Sequence, residues 1–88
     1  MRKEEVYIVR HEWSNSVIME QADYIEVFAT LETARKRFGF IVEEERKYAE
    51  EEGYIIEDDM PDSFLAYLPG YGATDYATVY IIKERVIE

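Results

Sequence analysis

One histidine and a set of hydroxyl and carboxylate groups are the side chains with which this sequence could perform chemistry. The stretch from His11 has the first residues of the helical zinc motif, but Asn15 stands where the second histidine is required. A Ser-His-Asp arrangement would have to combine His11 with Ser14, Ser16 or Ser63, and none of these serines stands in a nucleophile-elbow motif. The chain has no cysteine, which excludes thiolate catalysis, disulfides and cysteine-type zinc sites. We therefore expect no enzyme activity, no metal and no cofactor.

Glu45 is the carboxylate that fits its surroundings least. On a helix it projects near the middle of the apolar stripe, and burial without a partner is one way in which active sites prepare a general acid or base. Carboxylates are seldom fully buried unless they are paired. We therefore expect Glu45 to lie over the edge of the sheet or to pair with a lysine, an arginine or a tyrosine hydroxyl. The alternative is a small-ligand-binding protein or enzyme that uses Glu45, His11 and a tyrosine in a pocket between helix and sheet.

The element that must position Glu45 is a helix predicted over residues 30–52. Thr30 is a good N-cap, and Gly53 stands where a helix ends in a left-handed residue. Apolar residues recur at three- and four-residue steps between them, which predicts one stripe that packs on a sheet. These residues are Leu31, Ala34, Phe38, Ile41, Val42, Tyr48 and Ala49. Phe40 projects on the opposite side of the helix, among charged residues.

Strand patterns flank the helix on both sides. Residues 5–13, 24–29, 63–68 and 76–87 are rich in β-branched and aromatic side chains, as strands are. Residues 54–56 are a candidate short strand, residues 57–62 are predicted to be a loop, and residues 69–72 are predicted to be a turn. Residues 17–19 fit either an extended hairpin or a loop. The sequence therefore predicts one α+β domain over residues 1–88: a four-stranded antiparallel sheet with one α-helix packed on one face, in the order ββαββ.

The second face of the predicted sheet is the first candidate interaction surface. A sheet covered by one helix should be polar on its open side, but either register places tyrosine and branched aliphatic residues there, such as Tyr7 with Val9 and Tyr80 with Ile82. The chain has eight tyrosines, a residue type enriched at interfaces. We therefore expect this face to form a homodimer or to bind another protein, and Phe40 is a further candidate for the interaction surface.

The negative charge supplies a second candidate surface. Twenty acidic residues stand against ten basic ones, and ten carboxylates lie within residues 43–62, among them Glu50, Glu51, Glu52, Asp58 and Asp59. Such a field repels nucleic acid and anionic membranes and steers a basic partner toward this end of the molecule. The protein is therefore expected to bind neither nucleic acid nor membranes directly. A second alternative is an inhibitor or immunity-type protein whose carboxylates mimic the phosphates of nucleic acid.

Three stretches carry a resemblance to a known group of proteins. They are Val-Tyr-Ile-Val-Arg-His-Glu-Trp near the start, Val-Phe-Ala-Thr-Leu-Glu-Thr-Ala at the helix entry, and the tyrosine-rich last strand. The combination resembles small uncharacterised bacterial and phage-type proteins with a hairpin-helix-hairpin fold. The chain departs from them in its longer, more acidic helix end and in lacking a Pro-Gly-Phe turn after the helix. The resemblance implies a fold and no activity. The N-terminus has no apolar signal segment, so we expect a cytoplasmic protein.

Overall fold

The computed structural model describes residues 3–16, 18–70 and 75–87 and is an α+β fold. One antiparallel sheet has the strand order β2-β1-β5-β4-β3, and the single helix packs on one of its faces. The elements are β1 (Lys3–Asn15), β2 (Glu20–Phe28), α1 (Leu31–Glu52), β3 (Ile55–Met60), β4 (Ser63–Tyr67) and β5 (Tyr76–Ile87).

The limits of α1 follow from local chemistry and confirm the predicted helix. Thr30 is extended, and its hydroxyl accepts a hydrogen bond of 3.2 Å from the Thr33 amide, which would otherwise lack a partner in the first turn. Gly53 is left-handed, with φ of 76°, and its N–H donates to the carbonyl of Ala49. The residues that α1 buries are Ala34, Phe38, Ile41, Val42 and Ala49.

The sheet has five strands, so the predicted four-stranded sheet is wrong. The candidate short strand at residues 54–56 is the start of β3, which continues through residues 57–60 of the segment expected to be a loop. β3 pairs with β4 across an irregularity between Ile56 and Asp58. A strand can hold carboxylates here because β3 lies at the edge of the sheet, where one side is open to water. Asp59 is also paired with Arg46 of the helix, and Asp58 accepts a hydrogen bond of 2.6 Å from the Ser63 hydroxyl.

The turn of the first hairpin includes part of residues 17–19, for which the sequence fitted either an extended hairpin or a loop. Ile18 lies in a turn, and Met19 beside it has a positive φ of 55°, so β2 begins only at Glu20. Val17 is outside the described residues. In the predicted turn at residues 69–72, Pro69 precedes Gly70, whose φ is 89°, while residues 71 and 72 are also outside the described residues.

The core lies between α1 and the centre of the sheet. Val9, Phe64 and Val79 are fully buried there against the helix residues. Within the described residues, no element packs on the opposite face. β1 and β5 also run past their neighbours, because β2 pairs with β1 only from Tyr7 and β4 pairs with β5 only as far as Tyr80. Residues 3–6 and 84–87 therefore form a two-stranded ribbon, and the molecule measures 51 × 21 × 17 Å.

Candidate functional site

The face of the sheet opposite the helix carries a row of apolar side chains across its three long strands. Ile8 is the cross-strand neighbour of Val27 on one side and of Ile82 on the other. Side chains opposite one another in an antiparallel sheet share a face, so these three residues form a row across β2, β1 and β5. Ile25 lies beside this row, and 57% of Ile25 and 62% of Val27 are exposed. We call this surface the uncovered face.

The shorter strands extend the uncovered face with aromatic and aliphatic side chains. Tyr67 lies opposite Tyr76, and Ile55 lies opposite Tyr67 on the edge strand. Met60, at the other end of β3, lies opposite Ser63, which is the neighbour of Tyr80. Neighbouring apolar side chains that are exposed together in this way are typical of interaction surfaces rather than of solvent-facing sheets.

Three charged groups at the centre of the uncovered face are paired with one another. The Arg10 guanidinium donates to both oxygens of Asp23, at 3.2 and 2.8 Å, and lies 2.8 Å from a carboxylate oxygen of Glu12. The Tyr80 hydroxyl donates to Glu12 at 3.4 Å. The hydrogen bonds from Arg10 lower the pKa of Asp23, because they stabilise its ionised form. These internal pairs leave the apolar row as the main feature that a partner would meet.

The structure does not gather the predicted interaction residues on one surface. Tyr80 and Ile82 lie on the uncovered face, as does Asp58, the hydrogen-bond partner of Ser63. Tyr7 and Val9 lie on the helix side, and Val9 is buried at 1% exposure.

The other predicted residues lie elsewhere on the molecule. Phe40 is 60% exposed on α1, with the Arg37 guanidinium 5.4 Å from the centre of its ring. Glu50, Glu51 and Glu52 are exposed at the end of α1, and Asp59 is paired with Arg46 on the helix side of β3.

The row centred on Ile8 was missed by the sequence analysis as a site. The sequence shows that Ile25 and Val27 share one face of their strand, and that Val6 and Ile8 share one face of theirs. The pattern cannot say which face the helix covers, because both faces of these strands carry apolar residues. The register of the sheet decides it, because the buried Val79 lies opposite both His11 and Phe64 and shares their face.

On the helix side, His11 and Glu45 meet although they are 34 positions apart. His11 Nε2 lies 3.0 Å from a carboxylate oxygen of Glu45, and the side chains are only 15% and 17% exposed. When Glu45 is ionised it can only accept a hydrogen bond, and the donor is then the Nε2–H of His11. Glu45 is mostly buried, and its partner is a histidine rather than the predicted lysine, arginine or tyrosine. The Tyr24 ring lies 5.7 Å from the imidazole, centre to centre.

A cavity of about 490 Å³ lies beside this pair, between the second half of α1, the end of β1 and the start of β5. Aromatic rings line it, and the Tyr48 and Tyr54 rings meet edge to face at 5.5 Å. Asn15 donates a hydrogen bond of 3.0 Å to the Tyr48 hydroxyl and thereby helps to fix that ring. Burial raises the pKa of Tyr54 to about 12, because the phenolate would lose hydration. The lining also includes carboxylates, of which Glu45 is one.

The described residues carry neither a metal-binding cluster nor a helix that could cross a membrane. Residues 3–16, 18–70 and 75–87 contain no group of three or more histidine, cysteine, aspartate or glutamate side chains arranged to hold a metal ion. The one helix in these ranges is not apolar enough over a sufficient length to cross a membrane.

No family model matches this chain, and neither the curated proteins nor the solved structures include one that matches it significantly.

Proposed function

We propose that this protein is a non-enzymatic protein-interaction module that self-associates through the uncovered face of its sheet. The observation that carries the proposal is the row formed by Val27, Ile8 and Ile82, flanked by exposed Ile25. Burial of apolar surface is the main favourable term in protein association. Two such faces would pack at a separation of about 10 Å, as the sheets of a β-sandwich do, with one helix on each outer side.

The size of the uncovered face fits a dimer interface. With a rise of about 3.3 Å per residue and a strand spacing of about 4.8 Å, the five strands present about 700 Å² on this face. Two copies would then bury about 1,400 Å², within the range of about 1,200 to 2,000 Å² of stable specific interfaces. A second copy supplies a face of matching size and strand direction, with the same apolar row.

The charge distribution also favours contact through this face. Arg10 is already paired with Asp23 and Glu12, so docking leaves no new isolated charge at the centre of the row. The helix packs on the other face of the sheet, so its glutamate-rich end points away from a face-to-face partner. Each copy nevertheless carries a net charge of −10. Salt should therefore strengthen the dimer, because it screens the repulsion between copies.

The experiment is sedimentation equilibrium over a series of protein and sodium chloride concentrations. We expect a monomer–dimer equilibrium that shifts toward dimer as salt rises. Val27→Lys should abolish the dimer, because an ammonium group would be buried without a partner. Phe40→Lys is the matched control, since Phe40 has nearly the same exposure but lies on the helix. It should leave the equilibrium unchanged.

Three results would overturn the proposal. A monomer at several hundred micromolar protein in high salt would leave the uncovered face to a different protein. Loss of the dimer in Phe40→Lys alone would assign the interface to the helix. In the third result, a basic protein binds in place of the second copy, in a complex that salt weakens. That result would make the net charge, and not the apolar row, the determinant of binding.

Phosphate mimicry by the acidic stretch has less support. Five of the ten carboxylates in residues 43–62 have partners within the molecule. These are Glu43 and Asp59 with Arg46, Glu45 with His11, Asp58 with Ser63, and Asp62 with Arg35. This pairing lowers the density of carboxylates that could imitate a phosphate backbone. The variant remains testable by neutralising Glu50, Glu51, Glu52, Asp58 and Asp59 together and measuring the binding of a nucleic-acid-binding protein.

A further inference from the structure

The cavity between α1 and the sheet combines aromatic rings with carboxylates in a way that the proposed function does not use. Trp13, Tyr48 and Tyr54 contribute the rings, and Glu44, Glu45 and Glu51 contribute the carboxylates. A volume of about 490 Å³ is within the usual range of about 300 to 1,000 Å³ for small-molecule sites. The uncovered face lies on the other side of the sheet, so the two sites are separate.

We propose that this cavity binds a small organic ammonium ion. The face of an aromatic ring attracts a cation through its quadrupole, and tryptophan and tyrosine are the strongest such partners. Carboxylates beside the rings add Coulombic attraction, while the ring faces provide apolar contact for the carbon atoms that surround the charged nitrogen. Both features are needed for an organic cation, whereas a hydrated metal ion would gain little from the rings.

The protonation states of the lining groups fit this ligand. Tyr54 keeps its phenolic proton through the neutral pH range, because its pKa is about 12. The ring therefore contributes a neutral π face and not a phenolate. Glu45 is paired with His11 at one side of the cavity, which leaves Glu44 and Glu51 as the carboxylates that a bound cation would meet.

Lys47 should affect cation binding in the opposite direction to the carboxylates. Its ammonium group also lines the cavity, so it repels a bound cation and offsets part of the attraction from Glu44 and Glu51. Removing Lys47 should strengthen binding, while removing Glu51 should weaken it. A neutral apolar ligand would respond to neither change.

The titration uses choline and the emission of Trp13, the only tryptophan of the chain. The signal therefore comes from the cavity itself. The control ligand is 3,3-dimethylbutan-1-ol, which has the shape of choline without its charge. We expect a saturable change with choline, and affinity about tenfold above that for the alcohol. Sodium chloride at equal ionic strength should give no saturable change.

Charge variants locate the site. Glu51→Gln should weaken choline binding about three- to tenfold, and Lys47→Gln should strengthen it by a similar factor. Glu32→Gln is the matched control on the same helix. Glu32 lies about 28 Å from Glu51 along α1, well beyond the screening length of about 8 Å at physiological salt. It should leave the affinity unchanged.

A ring variant separates the aromatic contribution from the charge. Tyr48 is 41% exposed, so its replacement should not unfold the protein. Tyr48→Leu should weaken choline binding several-fold, while Tyr48→Phe should retain it because the ring remains. A trimethylammonium group also occurs on protein side chains, and a short peptide carrying trimethyllysine tests that source. Tighter binding of the peptide than of choline would identify a modified protein side chain as the ligand. Equal or weaker binding would identify a free small compound as the ligand.

The inference fails under any of three outcomes. Equal affinity for choline and the alcohol would make the cavity an apolar pocket only. Equal weakening by Glu51→Gln and Glu32→Gln would reduce the effect to the overall negative field. An unaltered affinity in Tyr48→Leu would remove the rings from recognition. None of these results bears on self-association, which is measured without choline.

Discussion

The contact between Arg46 and Asp59 should decide how firmly the edge strand β3 is held. The Arg46 guanidinium donates to both oxygens of Asp59, at 2.6 and 2.9 Å, and lies 5.7 Å from the centre of the Phe64 ring. The two charged side chains are 28% and 47% exposed. Exposed ion pairs contribute about 0.2 to 1 kcal/mol, and two-pronged geometry with partial burial favours the upper end. We therefore expect a coupling free energy of about 1 kcal/mol.

The measurement is a double-mutant cycle with Arg46→Met and Asp59→Asn, in which urea unfolding is followed by circular dichroism. Methionine keeps an apolar stem over Phe64, so the cycle isolates the ion pair from the packing. Arg46→Ala also loses the contact with the ring and should destabilise the protein by about 1.5 to 2 kcal/mol in total. The matched control is Arg35 with Asp62, which is also two-pronged, at 3.0 and 3.3 Å, with both side chains 50% exposed. Its coupling should be smaller.

The pH dependence of the coupling has a defined sign. The hydrogen bonds from Arg46 lower the pKa of Asp59, so the ionised carboxylate stabilises the folded state. That contribution is present above the ordinary aspartate pKa of about 4 and is lost as pH falls through the lower value in the folded protein. A coupling below about 0.3 kcal/mol at pH 7, within the error of additivity, would refute the view that this pair stabilises β3. So would a coupling no larger than that of the Arg35 pair.

Three further predictions concern the helix and its contacts. In urea unfolding, Gly39→Ala should stabilise the protein by about 0.5 to 1 kcal/mol, because Gly39 lies inside the helix and an added Cβ meets no atom within 4 Å. Gly53→Ala should destabilise it by about 1 kcal/mol, because Gly53 has a positive φ, although an added Cβ meets no atom there either. Glu45→Leu should lower the free energy of unfolding by about 1 to 3 kcal/mol, because it leaves the N–H of His11 without an acceptor. Adding His11→Leu should recover much of that loss, whereas additive losses in the double variant would argue against the hydrogen bond. In titrations of tyrosine absorbance at 295 nm, Tyr54→Phe should remove the phase near pH 12. The stability of the parent protein should fall as pH rises from about 10 to 12, because Tyr54 ionises at a lower pH in the unfolded chain than in the folded protein.

The helix could be predicted from sequence because its signals are local. Thr30 and Gly53 act on backbone groups within four residues of themselves, and the apolar spacing between them depends on no other element. The β3 strand could not be predicted in this way. Asp58 and Asp59 indicate a loop until Ser63 and Arg46 are placed beside them, and Arg46 lies on an element that packs across the sheet.

The candidate sites depended on contacts that no local pattern contains. Tyr7 and Val9 could be placed on one face together, but the register with β5 was needed to show that this face meets the helix. The bond between His11 and Glu45 joins β1 to α1, and the pattern indicated only that Glu45 needed a partner. The ring-lined cavity is likewise formed where three separate elements meet.

The two-stranded ribbon at residues 3–6 and 84–87 has a hydrodynamic consequence. The radius of gyration is 14.6 Å, whereas a compact chain of 88 residues should have about 12 Å. By the same relation, 14.6 Å is the value for a compact chain of about 150 residues. An elongated monomer should therefore elute from a sizing column most of the way to the position of a globular dimer. Sedimentation equilibrium and light scattering report mass independently of shape, so they distinguish an elongated monomer from a dimer.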